Sequence, residues 1–505
     1  MQILGTVIDA WFVQAYAIIV VVHSLLTPWL FVSTRHRAGG RLHTVLVGWS
    51  RSVVSFCLSC LLPVLSLIAP ALEYLWVDPT LSRDTFWTTR VLLVAQIVVV
   101  TSGFDYVTKG AMGIGTLLSF HRLANSLDPP TPFVVPHLAI SVSPPPPLLT
   151  TISRRRHRFC HPTTFFLASS LAWGLTLAIL LLYGFLFRAS CPPICLAPVT
   201  PLFSHACHCK YVYVNCHRLG DENLDVDAQL LPALNGRDVF TIRISRCDLV
   251  HGLANVTLAA FPQLRILHVE FTHMQTWTGR LPASLTTLVI RQSHLATLPT
   301  ILHSDVPSSL ATLYIEASPI RMLHDTVATS WQSLLELVLD NVSFADGAPP
   351  LAVTNLSRLS YLSLRFNRLT QVSMTWQSLA QAQMLALNQM DLSGNYLTEG
   401  PWSWWAAQTS HETMTSALSL RANPIAALPL TVDISSLTNR QLVLDDTAYC
   451  TETEPRPLFC LDSFCAPACL LSMVGDHLCD LACFNVACAY DKDDCTSIGL
   501  EADQI

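Results

Sequence analysis

Eight stretches of the chain share one pattern, L-x-x-L-x-L-x-x-N-x-L, and they follow one another at nearly constant spacing. They read VFTIRISRCDL from Val239, LRILHVEFTHM from Leu264, LTTLVIRQSHL from Leu285, LATLYIEASPI from Leu310, LLELVLDNVSF from Leu334, LSYLSLRFNRL from Leu359, LNQMDLSGNYL from Leu387 and TSALSLRANPI from Thr415. Successive starts are 25, 21, 25, 24, 25, 28 and 28 residues apart, and LVLDD from Leu442 falls where a further copy is due. A unit this short cannot bury an apolar face alone. It folds only by stacking on its neighbours, with the residues at positions 4 and 6 turned inward from a short strand to form a continuous interior.

The pattern resembles the leucine-rich repeat family. The resemblance implies a curved β-rich α/β solenoid over residues 239–449, in which the ninth-position Asn bonds neighbouring backbones. That position is Asn367, Asn395 and Asn423 in three repeats but Cys247, Thr272, Ser293, Ser318 and Val342 in the others, so the early coils are expected to be less regular. The ends of a solenoid expose its interior and need caps. CHCKYVYVNC, with Cys191 and Cys195 upstream, is similar to a cysteine-bearing N-terminal cap and sets one at 188–238; Cys450 and Cys460 close the other end within 450–464.

The tail carries a second resemblance. Cys465, Cys469, Cys479, Cys483, Cys488 and Cys495, with an Asp after the third cysteine and YDKDDC at the close, resemble a Lin-12/Notch repeat over 465–495, followed by a tail at 496–505. Such a module is too short for a hydrophobic core and is held by disulfides and one calcium ion. The family's connectivity implies Cys465 with Cys488, Cys469 with Cys483, and Cys479 with Cys495. Its calcium ligands carry over to Asp476, Asp491, Asp494 and the backbone carbonyl near Met473, an oxygen set suited to that ion. The sequence departs from the family where DKDD replaces Asp-Gly-Gly-Asp: two glycines are lost, and Lys492 brings a positive charge. Zinc is disfavoured because cysteines in an oxidising compartment are paired rather than thiolate.

Composition divides the chain. Only 13% of its residues are charged and 51% are hydrophobic. Before Arg188 there are 12 Lys and Arg against 6 Asp and Glu, and after Phe187 there are 17 against 29; 14 of the 17 cysteines lie in the second part. This excludes an ordinary cytosolic enzyme and a disordered chain, and predicts a membrane part joined to a domain outside the cytosol. Apolar stretches at 11–32, 53–76, 91–118 and 163–187 predict a four-span helical domain over 1–187 in the lipid bilayer. The third is broken by Gly103, Asp105, Lys109 and Gly110. Basic loops predict a plasma-membrane protein with both termini exterior. The cytosolic loop 120–162 holds Arg154, Arg155, Arg156 and Arg158, Cys160 as a palmitoylation candidate, and SPPPPLL from Ser143 to Leu149 as a candidate partner site for SH3, WW or EVH1 domains.

Sequons at Asn255, Asn341 and Asn355 all fall in the second part. With Cys247 assigned to the repeat interior, 13 cysteines remain there, an odd number, which predicts a free or intermolecularly bridged Cys191 or Cys195. No kinase, GxSxG, HExxH or P-loop signature is present, so the chain reads as a non-enzyme. The strand-exposed seventh positions are Glu270, Arg291, Glu316, Asp340, Arg365, Ser393 and Arg421; their mixed charge suits a protein or glycan partner and argues against nucleic acid, with a merely solvated face as the alternative. A channel or transporter subunit marked by Asp105 and Lys109, and a proteolysis guard built on the tail module, are the other readings.

Overall fold

The computed structural model describes residues 18–22, 24–26, 53, 62–98, 117, 162–187, 189–199, 204–303, 305–409 and 416–501. They fall into two compact units: Met1–Leu72, Leu92–Arg188 and Thr200–His205 in one, and Glu73–Val91, Ala189–Val199 and Ala206–Ile505 in the other.

The first unit corrects the expected fold class. Among the described residues one helix is long and apolar enough to cross a bilayer, Ala168–Phe187, inside helix α3 (Pro162–Phe187). Helix α1 (Leu62–Leu72) has 11 residues and contains Pro70, and it passes into a π-helical turn at Glu73–Val77. Helix α2 (Thr85–Val98) has 14 residues. A four-span helical domain is therefore not what the structure shows. Within this unit Ser170 Oγ donates to Ser24 O at 3.1 Å, and a Cβ on Gly174 would meet Leu25 at 2.9 Å, so the two segments approach closely. Asp105, Lys109, Ser143 to Leu149, Arg154 to Arg158 and Cys160 lie outside the described residues.

The second unit is a leucine-rich repeat solenoid. After a small hairpin of β1 (Pro198–Val199) and β2 (His208–Cys209), ten strands stack in chain order into one parallel sheet. They are β3 (Tyr211–Asn215), β4 (Thr241–Ser245), β5 (Ile266–Glu270), β6 (Thr287–Arg291), β7 (Thr312–Glu316), β8 (Glu336–Asp340), β9 (Tyr361–Ser363), β10 (Gln389–Asp391), β11 (Ala417–Ser419) and β12 (Leu442–Val443). Every strand after β3 up to β11 comes from one of the eight sequence repeats. Positions 4 and 6, from Ile242 and Ile244 to Leu418 and Leu420, are all buried in one continuous core. The convex side adds what the strand pattern does not mark: Trp277, Trp331 and Trp376 are fully buried, and each donates its indole N–H to a carbonyl one coil back, at Leu253, Leu302 and Pro350.

The asparagine ladder is present in the later coils. Asn395 Oδ1 accepts from the Asn367 and Leu369 amides at 2.9 and 3.0 Å, and Asn423 Oδ1 accepts from Leu397 N at 3.0 Å. The early coils are not less regular. Their strands run five residues, against three in β9 to β11, with Ser293 and Ser318 hydroxyls 2.7 Å apart in place of an amide ladder. Backbone hydrogen bonding sets strand regularity, and ladder side chains only supplement it. Each coil leaves its strand through a left-handed residue at the eighth position: Arg246, Phe271, Gln292, Ala317, Asn341, Phe366, Gly394 and Ala422, of which one is glycine.

All fourteen cysteines of the second part pair. At the N-terminal cap the bridges are Cys191–Cys207, Cys195–Cys209 and Cys216–Cys247, and at the C-terminal cap Cys450–Cys460. This overturns the expectation of an odd thiol at Cys191 or Cys195. The error was Cys247, which occupies a ladder position and is also within disulfide reach of the cap strand, at a Cα separation of 5.0 Å from Cys216. In the tail Cys465–Cys488, Cys469–Cys483 and Cys479–Cys495 enclose the two-stranded pair β13 (Phe464–Ala466) and β14 (Cys469–Leu470).

Candidate functional site

In-register stacking puts every seventh-position residue in one row, Ser245 beside Glu270 beside Arg291 beside Glu316 beside Asp340. These side chains bond within the row or to its neighbours, and are buried or half-buried. Arg243 pairs with Glu270; Arg291 Nε meets Glu316 Oε2 at 2.7 Å; Arg365 Nε meets Asp340 Oδ2 at 2.6 Å; and Arg421 Nε meets Asp445 Oδ2 at 3.3 Å. The alternating charges are thus neutralised coil to coil. Ser393 Oγ donates to Asp391 at 2.5 Å. Burial, with repulsion from Glu316 and Asp391, lifts Asp340 to about 6 against the pull of Arg365. Against the cost of desolvation, Arg291 holds the half-buried Glu316 below the ordinary glutamate range.

Two further parts of the same unit cover this face. The tail folds back over the strands: Arg291 Nη2 reaches Asp480 Oδ1 at 2.5 Å, and the Phe366 and Phe464 rings meet edge to face at 6.4 Å. At the β3 end Tyr213 OH donates to Ser497 O at 2.8 Å, Arg218 Nη2 to Thr496 O at 2.6 Å and Arg246 Nη1 to Gly499 O at 3.1 Å. At the β12 end the Leu461 and Ser463 amides donate to Asp445 and Asp446 at 3.0 and 2.8 Å. The second cover is residues 73–91. Thr85 Oγ1 lies 2.8 Å from Tyr211 OH, and Thr89 Oγ1 lies 2.6 Å from Thr241 Oγ1.

Sheet, tail and residues 82–88 enclose a cavity of about 380 Å³. Arg291, Glu316 and Arg365 line it, together with His268, Tyr314 and Asp480; of the other residues read as ligand-facing, Glu270 and Arg421 do not, and Asp340 lines a smaller space of about 120 Å³. One guanidinium nitrogen, Arg291 Nη1, is buried with no partner. Burial lowers His268 to about 3, so its imidazole is neutral.

In the tail module Asp476, Asp480, Asp491 and Asp494 lie near enough to repel one another. Asp476 Oδ1 accepts from Leu478 N at 3.0 Å, Asp494 Oδ2 from His477 N at 2.9 Å and Asp491 Oδ2 from Asp480 N at 2.7 Å. Asp491 is 0% exposed, and its Oδ1 has no hydrogen-bond partner. Burial, with repulsion from Asp480, Asp494 and Asp476, pushes Asp491 up to about 7; burial, against the pull of Arg291 and helped by Asp476 and Glu316, does the same for Asp480. Asp476 and Asp494 also rise, chiefly through burial. Asp491 Oδ1 is the one orphaned oxygen among these carboxylates, and among the described residues no three of them bring oxygens within ligating distance of one another. The neighbouring cysteines are tied up as Cys479–Cys495, leaving no thiolate for zinc. Met473 ends the turn Leu471–Met473 before this loop. Asp480, directly after the third cysteine, was not among the ligands carried over from the family; its position in the sequence was visible, but its approach to the cluster depends on the fold. The lost glycines have a visible cost: Lys492 and Asp493, which replace them, take left-handed backbone with φ of 44 and 70°.

Asn255, Asn341 and Asn355 are exposed. No family model and no curated protein matches the chain. Among solved structures, a leucine-rich repeat protein of Leptospira interrogans is similar at 22% identity and TM-score 0.32 over 41% of this chain and 49% of that one. An internalin of Listeria monocytogenes is similar at 18% identity and TM-score 0.31 over 45% of this chain and 66% of that one. The chain therefore spans about half of the first and about two thirds of the second.

Proposed function

We propose that the chain is a non-enzymatic recognition protein whose repeat unit works outside the cytosol, binding an exposed segment of an extracellular protein or a glycan at the cavity under the tail module. The observation that carries this reading is the cavity itself: a space of about 380 Å³, within the range of ligand sites, over a rigid sheet and with an unpartnered guanidinium nitrogen in its wall. Seven disulfides support the compartment, since such bridges persist where the medium is oxidising. The exposed sequons are read as glycosylated, with a sugar on Asn341 standing beside the smaller space.

The tail is read as a Lin-12/Notch-type module holding one calcium ion through Asp476, Asp491 and Asp494, with the Met473 carbonyl. The ion would supply the positive charge that these mutually repelling carboxylates lack; the chain's part is to hold their oxygens by backbone N–H bonds. Screening full-length protein, expressed through a secretory pathway, against arrays of secreted proteins and glycans tests the recognition reading. A hit must weaken in Val289→Trp, which fills the cavity; binding indifferent to that change would refute the site.

A further inference from the structure

The arginines that line the cavity under the tail module are all answered by carboxylates. Arg83 holds Asp476; Arg291 holds Glu316 Oε2 at 2.7 Å and Asp480 Oδ1 at 2.5 Å; and Arg365 holds Asp340 Oδ2 at 2.6 Å. Glu336, which lines the same space, is the exception. Among the described residues no cation pairs with it, and its Oε2 accepts the Tyr314 hydroxyl at 3.0 Å. The imbalance does not hang on Asp480, which burial lifts to about 7, because Arg291 keeps Glu316 whether or not Asp480 carries a proton. The cavity thus holds one carboxylate more than its cations neutralise. Strand register sets that carboxylate between two aromatic rings. Glu336 opens β8, with Tyr361 directly opposite it in β9 and Tyr314 on β7 at its other side, and neighbouring strands lie about 4.8 Å apart. Both rings line the cavity and are half-buried. Burial and the Glu336 charge push the Tyr314 phenol well above its usual range, so it stays protonated and donates to Glu336. Val289 and Val338 supply an apolar floor beside them.

We propose that the cavity takes a primary ammonium group, the side chain of a lysine on the partner protein, with its charge on Glu336, its flanks against Tyr314 and Tyr361, and its stem on Val289 and Val338. The inference rests on the recognition reading above and deepens it by naming the group that is bound. Charge decides between ligand classes. An anion entering here meets arginines that are already paired and a carboxylate that repels it. A neutral sugar leaves the half-buried Glu336 without a counter-charge, which is the costly arrangement. A metal ion needs several oxygens about one centre, and Glu336 brings one carboxylate. An alkylammonium meets each demand. Its N–H groups donate to Glu336 and to the Thr312 hydroxyl, the register partner of Glu336. The faces of the tyrosine rings attract the positive charge, and the apolar stem covers valine surface while the head stays on polar groups.

The test uses the full chain with disulfides intact. Ligand-observed NMR titration measures the affinity of the capped peptide acetyl-Gly-Lys-Gly-amide, of its Nε-acetylated form and of n-butylammonium for the wild type, Glu336→Gln and Tyr361→Leu. The lysine peptide is expected to bind the wild type, about tenfold or more tightly than the acetylated peptide does. Glu336→Gln should weaken it by about tenfold, as for a lost charged hydrogen bond, and Tyr361→Leu by about threefold. The comparison of the two peptides is made on the wild type, so it stands even if a variant fails to fold. Equal affinity for both peptides, no binding of the lysine peptide, or unchanged affinity in a folded Glu336→Gln overturns the ammonium. Binding of n-butylammonium as tight as that of the peptide overturns the partner protein as its source and assigns the site to a free amine. An array hit that is lost in Val289→Trp but unchanged in Glu336→Gln sinks the ammonium and leaves the recognition site standing. If no hit responds to Val289→Trp and no amine binds, both fall.

Discussion

Arg291 and Asp480 meet at 2.5 Å although 189 residues separate them, and the bond joins β6, the fourth strand of the solenoid sheet, to the tail module. The same guanidinium holds Glu316 at 2.7 Å, so one buried cation serves two carboxylates from different parts of the chain. Removing it strands both. Arg291→Ala is expected to cost about 3–5 kcal/mol, the range found when one partner of a buried ion pair is removed. Urea denaturation of the oxidised protein measures this, and a loss under 1 kcal/mol would mean that the module sits on the sheet without this anchor.

Gly252 tests packing on the convex side. Its φ is +68°, and a Cβ there would lie 2.3 Å from the Trp277 ring, which is fully buried and bonded through its indole to Leu253 O at 3.1 Å. Gly252→Ala combines a left-handed alanine with an overpacked, anchored ring, and a loss of about 3 kcal/mol is expected. Thermal unfolding reads it directly; a melting point equal to wild type would show that Trp277 can move aside.

Cys247→Ser removes the bridge from the cap strand to the first repeat. Closing a loop of 31 residues contributes about 4 kcal/mol by chain entropy, so a loss of that order is expected, together with one new thiol at Cys216. Thiol labelling of native protein, followed by peptide mapping, should find none of the fourteen cysteines of the second part reactive in the wild type. Labelling at Cys191 or Cys195 would restore the odd count.

His268 sets a pH signature. Its folded pKa lies near 3, while in the unfolded chain it titrates near 6.5, so the unfolded state binds the extra proton between those values. The contribution of this residue to stability is therefore complete above about pH 6.5 and is lost as pH falls toward 3, at up to about 1.4 kcal/mol per pH unit. Burial is the main cause, with Glu270 and Glu316 pulling the imidazole up and Arg243 and Arg291 pushing it down. His268→Gln should flatten the fall in denaturation midpoint between pH 6 and 4; an identical slope would show that the imidazole protonates in the fold.

Much of the solenoid was legible because a strand repeat writes its interior into the sequence: positions 4 and 6 of every copy are buried, and Asn367, Asn395 and Asn423 form the ladder. The four-span reading failed because apolar composition alone does not set helix length: of the described helices, one, Ala168–Phe187, is long and apolar enough to cross a bilayer. The charged row was identified residue by residue, yet its environment was not. Whether Glu316 faces solvent or a partner depends on what lies above the sheet, and the covers come from 73–91 and 461–500, segments with no sequence relation to the repeats. Asp480 and Arg83 were invisible for the same reason, since each acquires its role only across the fold.

The tail touches both extremities of the stack, at Asp445 and Asp446 beyond the last strand and at Tyr213, Arg218 and Arg246 by the first. An open repeat array has free ends, and it frays from them because each coil knows only its neighbours. Here the far ends are bridged, which turns a line of nearest-neighbour contacts into a closed circuit. Peeling off the terminal coil at either side requires breaking the bridge first, so the array should melt in one step, and cutting the chain between Cys460 and Cys465 should be enough to give it back its two loose ends.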